Sequence, residues 1–186
     1  MHSRYAHGSH SGRRVHRGLS LVEACITLAI ASVLVGTAAP SFDQLMRKRA
    51  LDGIASELAT DLRYARAEAV ARNEAVRVGF RTVAGGTCVM LHSGNNSDCA
   101  CDANGVAACS GGASLLKSTY YPSRGGILVL ANVVSMRFDH VNGSVTPAGS
   151  IDVTAADGST LRHVVNIMGR VRTCSPGGLV RDAKPC

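Results

Sequence analysis

Two arginines near the C-terminus, in the segment Gly169-Arg170-Val171-Arg172, have the type and the spacing to bind phosphate groups. In an extended strand Arg170 and Arg172 would lie on the same side, about 6.7 Å apart, while Val171 would face the core. Because a guanidinium can donate paired hydrogen bonds to phosphate oxygens, two of them at this spacing can contact neighbouring phosphates. The alternative is that these charges protect an edge strand, keep the protein soluble or pack against another subunit.

The C-terminal quarter of the sequence adds to this positive charge. The whole chain has a formal net charge of +7, and from position 160 onward it holds five basic residues against one acidic residue. A local positive field of this kind favours polyanions. The residues that could extend the surface around Arg170 and Arg172 are Arg162, Arg181 and Lys184.

Seven cysteines point to an oxidising compartment such as the periplasm or the cell surface. Cys25 lies in an apolar run, and the six later cysteines suggest three disulfides. Zinc binding is the alternative, but no pair has the C-x-x-C spacing of common zinc sites. We predict that Cys174 pairs with Cys186 and steadies the basic tail. The pairing of the other four, with three possible connectivities, stays open: they are Cys88, Cys99, Cys101 and Cys109.

Catalytic and cofactor motifs are missing from the sequence. It contains no G-x-S-x-G, no H-E-x-x-H and no phosphate loop, and His92, His140 and His163 are isolated from one another. Asp98 and Asp102 superficially resemble a calcium loop, but the acidic twelfth ligand is absent, which favours a solvated, disulfide-held loop. We therefore expect a protein that is not an enzyme and has no cofactor or metal.

Residues 19–39 are apolar or small except for one acid, Glu23. About 20 such residues span a bilayer as a helix, so we predict a single transmembrane segment. Arginines precede this segment, which would keep its start in the cytoplasm and place the chain after Pro40 on the far side of the membrane.

Two kinds of processing fit this segment. A secretory signal would be cut after the small residues 37–39, but Glu23 interrupts its apolar region, Pro40 follows the cut directly, and the region exceeds the usual length of about 7–15 residues. The other possibility is a cut before the apolar run. The four histidines at positions 2, 7, 10 and 16 would then leave with the leader.

The segment RGLSLVEACITLAI resembles the type IV prepilin motif. Gly18 stands at the cut, Leu19 takes the first mature position, where Phe or Met is usual, and Glu23 becomes the fifth mature residue. Pro40 falls where pilins commonly carry a helix-bending proline. The resemblance implies that a prepilin peptidase cleaves after Gly18, that Leu19 is N-methylated, and that the subunit is anchored in the bacterial inner membrane.

Glu23 needs a positive partner, because a carboxylate in hydrocarbon is costly unless it is paired or protonated. No Lys or Arg lies between Leu19 and Met46, but cleavage after Gly18 would create an α-amino group at Leu19. The resemblance implies that Glu23 pairs with this amine or with that of a neighbouring subunit and sets the subunit register. The alternative is a tolerated polar residue that faces water or other helices.

An amphipathic pattern continues the helix to about Asn73. Its apolar positions are Leu51, Ile54, Leu58, Leu62, Ala65 and Ala69, and its charged face carries Asp52, Glu57, Asp61, Arg63, Arg66 and Arg72. Glu68 and Arg72 form an i,i+4 pair. We expect Arg63, on this helix, to lie outside the basic surface around Arg170.

After the helix the pattern changes to that of strands. Asn142-Gly143 and Asp157-Gly158 are turn signals. The predicted fold class is α+β, with one long helix packed on a mostly antiparallel sheet. Residues 93–124 have no readable pattern. Strands are predicted at 75–80, 88–92, 126–130, 135–140, 150–154, 162–168 and 170–174. The predicted organisation is a cleaved leader (1–18), a transmembrane half-helix (19–40), an amphipathic half-helix (41–73) and a globular β-rich domain (74–186).

The stretch LATDLRYARAEAVARNEAVRV resembles the GspH/FimT family of minor pilins and pseudopilins. Within that family, G-R-x-R near the C-terminus resembles the DNA-binding motif of the FimT-like members, which implies binding of double-stranded DNA by the segment that contains Arg170 and Arg172. The implied partners are other pilin subunits, the peptidase, the inner membrane and DNA. Two alternatives are a purely structural type II secretion pseudopilin and a periplasmic enzyme or secreted binding module.

Overall fold

The structure is a computed structural model that describes Gly18, residues 20–180 and residues 182–186, without the side chains of residues 37–41. The predictions for the leader at 1–17, for Leu19, for the Pro40 side chain and for Arg181 lie outside the described residues. The chain divides into two units, Met1–Asp43 and Gln44–Cys186, which are described separately.

The first unit contains the beginning of helix α1, which spans Leu21–Arg72. Glu23 lies exposed in its first turn, where the amide of Ala24 donates to the carbonyl of Ser20 at 3.0 Å. Within the described part of the chain, no helix is long and apolar enough to cross a membrane. Large apolar side chains are exposed along this unit: Leu21, Val22, Ile26, Leu28, Ile30, Val33, Leu34, Val35 and Phe42.

In the second unit, α1 buries the apolar stripe that the sequence predicts. Ile54 is half-buried, and the other predicted apolar positions are fully buried in the central core: Leu51, Leu58, Leu62, Ala65 and Ala69. The stripe places one side of the helix against the sheet strands, since strand residues complete the same core cluster. This burial is the main favourable term that holds the helix in place.

The prediction that Asp61 belongs to an exposed charged face was wrong, because the residue is only 4% exposed. The ammonium of Lys117 lies 2.7 Å from its Oδ1 and 3.4 Å from Oε1 of Glu57. The hydrogen bond to Asp61 raises the pKa of Lys117. Lys117 lies on a strand within residues 93–124, where the sequence has no readable pattern, so this ion pair could not be predicted.

The strands form three antiparallel sheets in the described chain. The five-stranded sheet has the order β5-β2-β1-β7-β8, the four-stranded sheet β11-β10-β9-β6, and β3-β4 form a small hairpin. The α+β class and the long helix packed on antiparallel sheet are confirmed. The strands are β1 Val76–Val83, β2 Gly86–Ser93, β3 Cys99–Cys101, β4 Ala107–Cys109, β5 Leu115–Pro122, β6 Ile127–Ala131, β7 Ser135–Phe138, β8 Val145–Thr146, β9 Gly149–Ala155, β10 Thr160–Val165 and β11 Val171–Cys174.

All seven predicted strands have counterparts, whereas β3, β4, β5 and β8 were missed. Strand β8 is a two-residue segment, too short to show a periodic pattern. Strand β5 alternates weakly because it lies at the edge of its sheet, and its first half is LLKS, in which burial does not follow a period of two.

The insertion between β2 and β5 folds over the outer face of β2. Disulfides join Cys88 to Cys101 and Cys99 to Cys109, and Cys88, Met90 and Cys99 form a separate buried cluster beneath it. The two ends of the insertion meet, because the amide of Ser93 donates to the carbonyl of Ser114 at 3.0 Å and the amide of Ser114 donates to Oγ of Ser93 at 3.0 Å.

Candidate nucleic-acid interface

The turn between β10 and β11 fixes the start of the Gly-Arg-Val-Arg segment. The side-chain oxygen of Asn166 accepts from the amides of Met168 at 3.1 Å and Arg170 at 3.0 Å, and the amide of Gly169 donates to the Asn166 carbonyl at 2.8 Å. Gly169 has φ +69°, and a Cβ at this position would lie 2.2 Å from the carbonyl oxygen of Gly143. A residue without a side chain is therefore required here.

Arg170 and Arg172 are exposed, while Val171 between them is half-buried against the core. This is the alternation that the sequence predicts, although Arg170 lies in the turn and only Arg172 in β11 itself. Strand β11 is an edge strand of the four-stranded sheet. The two guanidiniums are therefore accessible to a large ligand, and their binding of DNA stays a prediction.

Arg162 lies on the neighbouring strand and is already paired. Its Nε and Nη2 donate to the two carboxylate oxygens of Asp152 at 2.6 and 2.7 Å, and this bond raises the pKa of Arg162. The strand register places Asp152 directly opposite Arg162 on β9. Arg162 therefore offers much less positive charge to a ligand than its residue type suggests.

The C-terminal tail lies against the end of β11. A disulfide joins Cys174 to Cys186, the pair that the sequence predicts, and the amide of Ser175 donates to the carbonyl of Lys184 at 2.8 Å. The side chain of Lys184 is exposed. The tail thus holds one further cation near β11.

Two helix arginines join Arg170 in a cleft that sequence analysis missed. The expectation that Arg63 lies outside the basic surface was wrong. Nε of Arg66 donates to the carbonyl of Gly143 at 3.1 Å and so ties α1 to the loop before β8. The arginines are spaced i,i+3 on one helix face, but no sequence pattern shows which loop packs over that face. The cleft is lined by Arg63, Arg66, Ala67, Val70, Asn142, Gly169, Arg170 and Val171.

His163, on the inner face of the β10–β11 hairpin, carries no charge near neutral pH. His163 is 1% exposed beneath α1, and its Nδ1 lies 2.9 Å from Oγ1 of Thr173. Burial, with a smaller contribution from the charge of Arg63, lowers its pKa from 6.5 to about 4. The positive charge of this region therefore comes from arginines.

The acidic residues of the insertion cap turns. Oδ1 of Asp102 accepts from the amides of Asn104 and Val106 at 2.9 and 2.8 Å, and Oδ2 of Asp98 accepts from the amide of Asn95 at 2.7 Å. The bond from the amide of Asn104 to the Asp102 side chain two residues earlier is typical of an Asx turn. The carboxylates thus order a loop that two disulfides hold.

Comparison with known proteins gives two findings. A profile described as Type II transport protein GspH matches residues 55–169. The fold resembles the crystal structure of the type IV minor pilin FimU from Pseudomonas aeruginosa strain PAO1, with a TM-score of 0.51 and 17% identity over 67% of this chain and 88% of that chain. A second crystal form of FimU gives a TM-score of 0.47 and 19% identity over 66% of this chain and 90% of that chain. None of the curated proteins matches the chain.

Proposed function

This chain belongs to the GspH/FimT family of minor pilins and pseudopilins, and we propose that it is a membrane-anchored filament subunit that binds double-stranded DNA through Arg170 and Arg172. Family membership implies assembly with other pilin or pseudopilin subunits. The observation that carries the DNA proposal is the rigid turn at Gly169, which presents two exposed arginines on either side of the anchored Val171.

The N-terminal part of the proposal is cleavage after Gly18 by a prepilin peptidase, followed by methylation of Leu19. The apolar side chains exposed along the first unit support insertion into the inner membrane after this cut. The intact mass of the membrane-extracted protein should correspond to a start at Leu19, and replacing Gly18 with a bulky residue should leave the precursor uncut. A start at Pro40 or Ser41 would instead indicate a secretory signal.

For Glu23 we propose pairing with the α-amino group of Leu19, on the same subunit or on a neighbour. Glu23 lies exposed in the first turn of α1, which supports contact with a group at the chain start or on another subunit. The variant Glu23→Val should enter the membrane as well as the wild type, because an acid is removed from an apolar run. Its incorporation into filaments should fall, and equal incorporation would contradict the pairing.

DNA binding through these arginines should be weak, salt-sensitive and independent of base sequence, because phosphate contacts give affinity but little specificity. The test uses the full chain in neutral detergent and a fluorescent DNA duplex, titrated over a series of NaCl concentrations. Changing both Arg170 and Arg172 to Gln should reduce the magnitude of the log–log salt slope by up to about 1.8.

The control for this experiment is Arg124→Gln. Arg124 is exposed in a short 3-10 helix, Ser123–Gly125, and lines a different depression with Met46 and Ala50 of α1. The substitution removes one positive charge outside the candidate interface. Absence of wild-type binding, or an unchanged slope in the double variant, would favour the second candidate function, a structural pseudopilin for protein secretion. The match to the family of the type II transport protein GspH supports this alternative.

A further inference from the structure

We propose that the cleft between α1 and the β10–β11 turn is a phosphate clamp, in which Arg63 from the helix and Arg170 from the turn bind the same segment of DNA backbone. The inference rests on the proposed DNA binding and extends it from the β10–β11 turn to helix α1. It assigns a ligand-contacting role to Arg63 and a positioning role to Arg66.

The charges of this cleft call for an anion. Three of its lining residues are arginines, and none of its described lining residues is acidic. Like charges a few ångströms apart repel one another, and the repulsion grows where protein replaces water on one side. Arg162 shows the alternative arrangement in the same domain, since Asp152 neutralises it at 2.6 Å. In the cleft, a phosphodiester would supply the negative charge that the protein does not.

Arg66 gives the cleft its shape. Its side chain is half-buried, its Nε bonds the carbonyl of Gly143, and it lies 3.1 Å from the position that a Cβ on Gly169 would take. A Cβ on Gly143 would lie 2.7 Å from the same nitrogen. Arg66 therefore packs against both loops at once and holds the turn that carries Arg170 at a fixed distance from the helix.

Arg63 is free to contact a ligand. It is exposed and lies three residues before Arg66, so the two side chains project from the same side of the helix, about 5–6 Å apart at Cβ. Arg170, on the turn between β10 and β11, lines the same cleft. One arginine from the helix and one from the turn can bind the two free oxygens of one phosphate or two successive phosphates.

The apolar part of the cleft lining favours a nucleic-acid backbone over a free phosphate ion. Ala67, Val70 and Val171 line the cleft together with the arginines. A DNA backbone alternates charged phosphates with largely apolar sugars, and it can place a sugar against these apolar side chains while its phosphate contacts the guanidiniums. A free ion would leave the apolar surface uncovered.

The experiment compares Arg63→Gln with Arg124→Gln in the full chain, with the same duplex and salt series as above. Arg124 lies beside residues 46–50 of α1, at least thirteen residues from Arg63 along the helix, which is about 20 Å. Arg63→Gln should reduce the magnitude of the salt slope by up to about 0.9 and weaken binding several-fold at low salt, whereas Arg124→Gln should leave the slope unchanged. Arg63→Lys should restore most of the slope, because it keeps the charge.

The outcomes separate this inference from the proposed function. If Arg63→Gln binds as the wild type does while the double variant of Arg170 and Arg172 loses binding, the clamp is wrong and the DNA interface stands. If the wild type does not bind the duplex, both fail. If Arg63→Gln weakens binding to phosphatidylglycerol vesicles but not to DNA, the cleft recognises a lipid headgroup and the clamp is again wrong. An equal thermal midpoint for both variants verifies that the fold is intact, since Gln is a good helix former.

Discussion

The two faces of the β10–β11 hairpin differ in the burial and the charge of their basic residues. On the inner face His163 lies under α1 and is kept neutral by burial, with a pKa of about 4. On the outer face Arg172 is exposed, and Arg162 is paired with Asp152. The face on which a basic residue lies, together with the register between β9 and β10, thus decides whether it is buried in the core, neutralised by a neighbour or available to a ligand.

This comparison explains why counting basic residues overestimates a binding surface. The sequence places Arg162 in the same basic segment as Arg170 and Arg172, but the antiparallel register with β9 sets a carboxylate opposite it. Conversely, the helix residue Arg63 is distant in sequence and lies in the cleft with Arg170. Each face of the hairpin can be tested by one substitution.

The largest effect is expected on the inner face, at His163. Its folded-state pKa of about 4 is below the unfolded value of 6.5, so the unfolded state binds the proton first as the pH falls. Stability is therefore complete above pH 6.5 and declines toward pH 4, by about 3 kcal/mol at the lower limit. His163→Gln should remove this part of the pH dependence in urea unfolding experiments.

The matched variant for His163 is His140→Gln. His140 lies in the loop between β7 and β8, outside the core, so its replacement also removes one histidine but leaves the buried imidazole of His163 in place. Some dependence should remain in both variants, because burial also lowers the pKa of His92. An identical pH profile for His163→Gln and the wild type would refute the assignment.

The next effect concerns the turn that separates the two faces. Gly169→Ala places a side chain at φ +69° and a Cβ 2.2 Å from the carbonyl oxygen of Gly143. The left-handed conformation alone costs about 1–2 kcal/mol, and the clash must displace the turn that carries Arg170. The midpoint of thermal unfolding should fall, and DNA binding should weaken.

A comparison with Gly158→Ala isolates the clash. Gly158 has φ +85° in the turn between β9 and β10, and no atom lies within 4 Å of its added Cβ. Both variants force an alanine into a left-handed conformation, so the difference in stability between them measures the clash with the carbonyl of Gly143. Equal losses of stability and normal DNA binding in both would mean that the close packing at Gly169 does not position Arg170.

The smallest effect is expected on the outer face, at Asp152. Asp152→Asn removes the carboxylate that neutralises Arg162, and the freed guanidinium lies on the same face as Arg172. The magnitude of the salt slope for duplex DNA should rise by up to about 0.9. Because the pair is about a third exposed, water screens it and the loss of stability should be small.

Asp102→Asn serves as its control. It removes an equal charge from the insertion on the other sheet, and an Asn side chain can accept the turn hydrogen bonds of Asp102. If both variants raise the slope alike, the effect is one of net charge and the comparison between paired and available arginines fails.

The sequence predicted the elements well because their patterns are local. The apolar stripe from Leu51 to Ala69 indicates the buried face of α1, and the turn signals at Asn142-Gly143 and Asp157-Gly158 coincide with glycines at φ +65° and +85°. Alternation identified every strand that has one buried face and regular spacing. The strands that the sequence did not predict are β5 and β8, which lie at the two edges of their sheet, and the small strands β3 and β4 of the insertion.

The candidate site was only half predictable. The segment at Gly169 could be found from its residue types, and its conformation follows from the turn. The contributions of Arg66 and Arg63 depend on which loops pack over α1, and the neutralisation of Arg162 depends on strand register. The prediction that Asp61 is exposed was wrong for the same reason, because its partner Lys117 is 56 positions away in sequence. Such pairings are set by tertiary structure.

The meeting of the insertion's two ends at Ser93 and Ser114 makes residues 94–113 an exchangeable cassette. Loop closure becomes costlier only slowly with length, by about 0.6 kcal/mol per doubling, so evolution can lengthen or rewrite this segment while the helix–sheet core keeps its geometry. A protein engineer could graft a peptide epitope at the same place. The exchange would have to include Cys88, whose disulfide partner Cys101 lies inside the cassette and would leave with it.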